Sequence, residues 1–125
     1  MTTALWCVFI AGLLPYAAAL AAKVGAADFD NEAPRAWLAK QQGHRARANA
    51  AQQNGFEAFA FFAAAVITAH ITRGQQAQVD TLAMVFIAAR IAYVIVYLGG
   101  WGTIRSLVWA VGIVSTVWIF LTPVL

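Results

Sequence analysis

The stretch from Ala48 to Thr72, ANAAQQNGFEAFAFFAAAVITAHIT, carries one charged side chain, Glu57, in 25 residues. As a helix rising ~1.5 Å per residue it exceeds the ~30 Å hydrocarbon thickness of a bilayer. A soluble helix needs a polar face, whereas Phe56, Phe59, Phe61 and Phe62 are spread around this one. The segment reads as a membrane helix with one expensive residue.

Reading outward from it, the same pattern recurs on both sides. Ala4 to Ala22 contains no charge at all and makes a first span. It lacks the basic N-terminal residues of a secretory signal and exceeds the usual ~7 to 15 residue signal core, so it is read as a retained helix. Asp80 to Leu98 carries one internal charge, Arg90, and Ser106 to Leu125 carries none, giving spans three and four. Between the first two spans, residues 28–46 (DFDNEAPRAWLAKQQGHRA) form a polar loop broken by Pro34 and Gly43, with one short interfacial helix expected around Trp37. Residues 73–80 (RGQQAQVD) make a polar turn, and Gly99-Gly100-Trp101-Gly102-Thr103 makes a tight hairpin. Links this short place neighbouring helices antiparallel. The expectation is one all-α domain over residues 1–125, an integral membrane four-helix bundle with helices near 4–27, 46–72, 80–98 and 104–122.

Composition agrees with that solvent. Charged residues make up 10% of the chain and hydrophobic ones 62%, against roughly 25% charged in soluble domains. The single cysteine, Cys7, excludes a disulfide scaffold, and a net charge of +3 from scattered residues excludes a nucleic-acid module. Lys23, Arg35, Lys40, Arg45 and Arg47 lie in or beside the first link and Arg105 beside the third, while the middle link holds only Arg73. The positive-inside bias therefore puts the first and third links in the cytoplasm and both termini on the opposite side.

The informative residues are the polar ones that lipid should exclude. An ionisable group at membrane depth costs ~2.5 to 3.5 kcal/mol on insertion scales, so it normally faces protein or water and has a partner. Glu57 and Arg90 are two such groups of opposite sign, and an interhelical ion pair between them would fix register. Around them, Arg47, Gln53, Asn54 and Glu57 share a stripe of the second span, and Arg90, Tyr93 and Tyr97 share one of the third. Arg105 and Ser106 open the fourth, with Trp109 one turn on. This exceeds what one ion pair requires, and a net-positive pocket near the cytoplasmic face would suit a small anionic ligand. His44 and His70 have no metal-ligand company, so no metal site is expected.

The string Ala89-Arg90-Ile91-Ala92-Tyr93-Val94-Ile95-Val96-Tyr97-Leu98-Gly99, followed by Ile104-Arg105-Ser106, resembles the third and fourth helices of the MAPEG family, the membrane-associated proteins in eicosanoid and glutathione metabolism. Asn54-Gly55-Phe56-Glu57 with the following AFAFF resembles that family's second-helix motif. The likeness extends over nearly the whole chain, in length, four-helix plan and long first loop.

The resemblance implies a homotrimer in the bilayer, with glutathione as co-substrate held between subunits near the cytoplasmic face. It implies a transferase or peroxidase acting on a small apolar electrophile or lipid hydroperoxide. Asn54 and Glu57 would hold the peptide's backbone and amino group, Tyr93 and Tyr97 would line the pocket, and Lys23 would meet a carboxylate. Arg105 would sit beside the sulfur with Ser106 as a neighbouring hydroxyl, and Arg90 would be structural. Chemistry is consistent with these roles: a thiol of pKa near ~8.5 needs a fixed cation and donors to become a nucleophile at neutral pH. Arginine retains its charge when partly desolvated, and a forked donor such as Arg47 suits a carboxylate. The family's arginines four and seven residues before the second-helix Glu are Gln53 and Ala50 here, its frequent Tyr one turn after Arg105 is Trp109, and the last link is one residue shorter.

Two other readings stay open at this point. Four short spans with one membrane Glu also describe small proton-coupled multidrug exporters, although those carry the Glu in the first helix and pair as dimers. A non-catalytic MAPEG member is the other, suggested by the missing second-helix arginines.

Overall fold

The computed structural model describes residues Met1–Leu125. Thr2 starts the first helix, its hydroxyl accepting the backbone N–H of Leu5 at 3.3 Å, and α1 runs over Thr3–Lys23. A short α2, Pro34–Ala39, begins with proline, whose fixed φ and missing N–H suit a first helical turn. It contains Trp37, where an interfacial helix was expected. The long helices α3 (His44–Ile71), α4 (Gln76–Gly99) and α5 (Gly102–Leu121) follow, and α1, α3, α4 and α5 are each long and apolar enough to cross a membrane. The helices reach into the polar flanks: α3 starts before Ala46 and α4 before Asp80, while α1 stops at Lys23 rather than near residue 27. Gaps between charges mark the hydrocarbon region, whereas helix ends are set by capping, so the two boundaries need not coincide.

The long helices bury mostly small residues against one another. α1 buries Ala4, Cys7, Ala11, Pro15, Ala18, Ala19 and Ala22, and α3 buries Ala48, Ala51, Phe62, Ala65, Val66 and Ala69. Small interfaces allow close backbone approach, which is how membrane helices gain packing where lipid removes the hydrophobic drive. At one crossing the Pro15 ring sits over Gly55, where a Cβ would lie 3.0 Å from Pro15 Cγ. α1 packs on α3 and α4, and α5 packs on α4 and α3, so α3 and α4 separate α1 from α5. The centre is a stacked pair, Phe62 and Phe86, with ring centroids 3.8 Å apart.

Each end of the bundle is tied by polar bonds. At the loop end, Arg45 Nη1 donates to the Ala22 carbonyl at 2.8 Å, and Arg47 donates through Nε and Nη2 to the Leu98 carbonyl at 3.2 and 3.1 Å. These cations reach the last turns of α1 and α4, whose carbonyls lack helical partners. At the terminal end, Asp80 Oδ1 accepts the Ala4 N–H and the Gln76 Nε2–H, both at 2.8 Å, and the His70 ring spans Thr2 Oγ1 and the Val66 carbonyl.

Candidate functional site

Positions 90, 93 and 97 repeat at three and four residues along α4, so Arg90, Tyr93 and Tyr97 project on one stripe. Three residues beyond Tyr97 the chain reverses through Gly100, at φ +77°, a left-handed conformation that costs glycine little. The reversal returns α5 alongside α4 and sets the Arg105 guanidinium over the Tyr97 ring, 4.6 Å from its centroid. Asn54 of α3 and Tyr93, Tyr97, Arg105, Ser106 and Trp109 then line one open cleft of about 480 Å³ at the loop end. Five of the expected site residues meet there.

The aromatic wall of the cleft is ordered. Tyr93 and Tyr97 meet edge to face with centroids 5.5 Å apart, and the Arg90 guanidinium lies 4.2 Å from the Tyr93 centroid. Arg90 is 5% exposed and its Nη2 is buried with no hydrogen-bond partner. Within the chain the expected Arg90–Glu57 pair is not closed, because the cation rests on a ring while Glu57 is exposed on the flank of α3.

The remaining expected residues lie elsewhere. Lys23 and Gln53 line a second, larger groove of about 790 Å³ between α2 and α3, together with Arg35, Asn49, Gln52 and Phe56. Gln53 and Asn54 serve different clefts because consecutive helical residues point ~100° apart. Arg47 faces neither cleft and is held by Leu98. Arg35, Asn49 and Gln52 were not singled out from the sequence. The signal for two of them was present: 49, 52, 53 and 56 repeat at three, four and seven on α3.

The first cleft offers a distinct set of groups. Asn54, which lines this cleft, has its Oδ1 buried without a hydrogen-bond partner, an acceptor left open within the chain. The Arg105 guanidinium sits over the Tyr97 ring, with no side-chain hydrogen bond within the chain, and offers its N–H donors to an anion. The Ser106 hydroxyl donates to the Gly102 carbonyl at 3.2 Å, so its proton is committed while its lone pairs remain. No group of three or more His, Cys, Asp or Glu is placed to hold a metal ion. The second groove supplies two cations and three carboxamides.

The sequence profile of the MAPEG family matches residues 3–125. No curated protein and no solved structure matches the chain.

Proposed function

Because the chain belongs to the MAPEG family over residues 3–125 and carries four membrane-spanning helices, we propose that this integral membrane protein is a glutathione-dependent transferase or peroxidase acting on apolar electrophiles or lipid hydroperoxides. The observation that carries the reading is the cleft in which Asn54, Tyr93, Tyr97, Arg105 and Ser106 meet. Its groups fit the ligand: glutathione brings N–H donors for the orphaned Asn54 Oδ1 and an anionic sulfur for Arg105. Arg105 would hold the thiolate, whose lone pair attacks an electrophile entering from the bilayer and expels its leaving group with the bonding pair, halide from an aryl halide or alkoxide from the broken O–O bond of a hydroperoxide. Lys23 and Gln53, with Arg35 beside them, would receive the carboxylate end.

These two sets lie in separate clefts of one chain, so the proposal includes a homotrimer in which one copy's Arg105 cleft meets the neighbouring copy's Lys23 groove. Two features support self-association. Gln53 and Glu57 are polar and exposed along a membrane helix, a cost that a covering subunit relieves. Gln53, Glu57, Ala60, Ala64, Ile67 and Ile71 are also all exposed and alternate at four and three residues, the heptad spacing of associating helices. In the same proposal Glu57 takes the glutathione amino group, the loop end faces the cytoplasm, and both termini face away.

The test is titration of glutathione into detergent-solubilised protein while thiolate absorbance is followed. Saturable binding with a thiolate band, and turnover of a halogenated aromatic, is the expected result. No binding at millimolar glutathione overturns the proposal. Proton-driven efflux from proteoliposomes that Glu57→Gln abolishes would instead identify an exporter.

A further inference from the structure

Arg90 is a cation in the middle of a membrane bundle, 5% exposed, with Nη2 lacking any hydrogen-bond partner. Such a residue is costly, and a purely space-filling role is served more cheaply by leucine or methionine. Its guanidinium carbon lies over the Tyr93 ring, 4.2 Å from the centroid. A desolvated cation gains most from a ring face where no water competes.

From there the contacts continue without interruption. The Tyr93 ring meets Tyr97 edge to face at 82°, and the Tyr97 ring carries the Arg105 guanidinium at 4.6 Å. The sequence cation, ring, ring, cation runs from the bundle core to the cleft. Edge-to-face packing fixes a ring's plane as well as its position, so the orientation of Tyr93 sets that of Tyr97. Tyr97 in turn presents the face on which Arg105 rests.

We propose that Arg90 is a positioning residue for Arg105, acting through the stacked series Arg90–Tyr93–Tyr97–Arg105 to hold the cleft's cation at one place and angle. This rests on the glutathione reading for its consequence and not for its geometry. Arg90 touches no substrate in this scheme. Shape at position 90 matters as well as charge, because a guanidinium spreads its charge over a broad plane whereas an ammonium is a compact point charge.

Two readouts on the full-length protein in detergent test it. In the ligand-free protein, the Arg105 Nε–Hε proton resonance is displaced upfield by the Tyr97 ring. Arg90→Lys returns it toward the unstacked position. With glutathione bound, Arg90→Lys raises the apparent thiol pKa by about one unit, a roughly tenfold fall in the thiol's acid dissociation constant, while glutathione affinity at high pH stays near that of the parent. An unchanged Arg105 resonance in folded Arg90→Lys overturns the proposal, as does an unchanged thiol pKa. Should Arg90→Lys fail to fold, Tyr93→Leu removes the middle of the series, and an unmoved Arg105 resonance in that variant is equally decisive against it. A parent protein that does not bind glutathione defeats the functional reading alone, since the ligand-free resonance still decides the positioning.

Discussion

Asp80 Oδ1, near the start of α4, accepts the backbone N–H of Ala4 at 2.8 Å and so caps a helix 76 residues earlier in the chain. α1 has no acidic residue in its own first turn, and Asp80 supplies the missing anion from a neighbouring helix. Removing a helix cap costs about 0.5 to 2 kcal/mol. Asp80→Ala is expected to lower the thermal unfolding midpoint in detergent, and Asp80→Asn, which keeps a carbonyl acceptor, to lower it less. Glutathione binding at the opposite end is expected to be unchanged in both.

Arg47 is the residue whose place departs furthest from a ligand role. Its two bonds to Leu98 O join the start of α3 to the end of α4, just before the turn that delivers Arg105. Hydrogen bonds from charged donors are worth about 1.5 to 3 kcal/mol. Arg47→Lys, which cannot make the forked contact, is expected to destabilise by roughly 1 kcal/mol. Equilibrium unfolding reads that loss, and glutathione titration should show a smaller effect than Arg105→Ala produces.

The spans were legible because lipid imposes one simple rule, absence of charge over a bilayer's width, which Ala4–Ala22 and Ser106–Leu125 satisfy outright. The Tyr93, Tyr97 and Arg105 grouping was legible for a similar reason: helical spacing and a short glycine turn leave few alternatives. What the sequence hid were choices between equal candidates. Arg45 and Arg47 are both basic residues at the start of α3, and only the packed bundle directs them to the carbonyls of Ala22 and Leu98. Gln53 and Asn54 adjoin in sequence, and their separation into two clefts depends on where α2 and α5 lie against α3. Likewise Glu57 and Arg90 have opposite signs at similar depth, but helix rotation sends one outward and the other onto Tyr93.

Close helix approach at Gly55 gives a sharper test. A Cβ there meets the Pro15 ring at 3.0 Å, and that ring cannot rotate away. Gly12 faces the Phe59 ring at 3.4 Å, which a small tilt relieves. Helix propensity favours alanine by ~1 kcal/mol at either site, while overpacking costs about 1 to 3 kcal/mol. Gly55→Ala is therefore expected to be neutral to destabilising and Gly55→Val clearly destabilising, whereas Gly12→Ala is expected to be neutral or stabilising. Parallel thermal unfolding of the three variants checks the order.

In the proposed reaction, Arg105 bears the developing thiolate charge. Loss of one such preorganised donor typically costs 10² to 10³ in rate. Arg105→Ala is expected to reduce turnover of an aromatic electrophile on that scale and to remove the thiolate band. The oligomer, measured by analytical ultracentrifugation in density-matched detergent, should be unchanged, because Arg105 packs on Tyr97 of its own chain. Loss of the oligomer would make Arg105 an assembly residue instead.

Ser106, beside Arg105, donates its hydroxyl proton to the Gly102 carbonyl, so that O–H is not offered to a ligand sulfur. Trp109, lining the same cleft, brings an indole N–H and considerable bulk. Trp109→Tyr would replace these with a phenol, a donor able to reach a thiolate in a low-dielectric setting where one hydrogen bond counts for more than in water. Roughly 1 kcal/mol of added thiolate stabilisation corresponds to a thiol pKa lowered by about 0.7. The variant is expected to show that shift in the pH titration of bound glutathione, with a matching gain in thiolate at neutral pH. Trp109→Phe, which shrinks the ring without supplying a hydroxyl, should leave the thiol pKa where the parent has it; equal shifts in both variants would assign the effect to space rather than to the hydrogen bond.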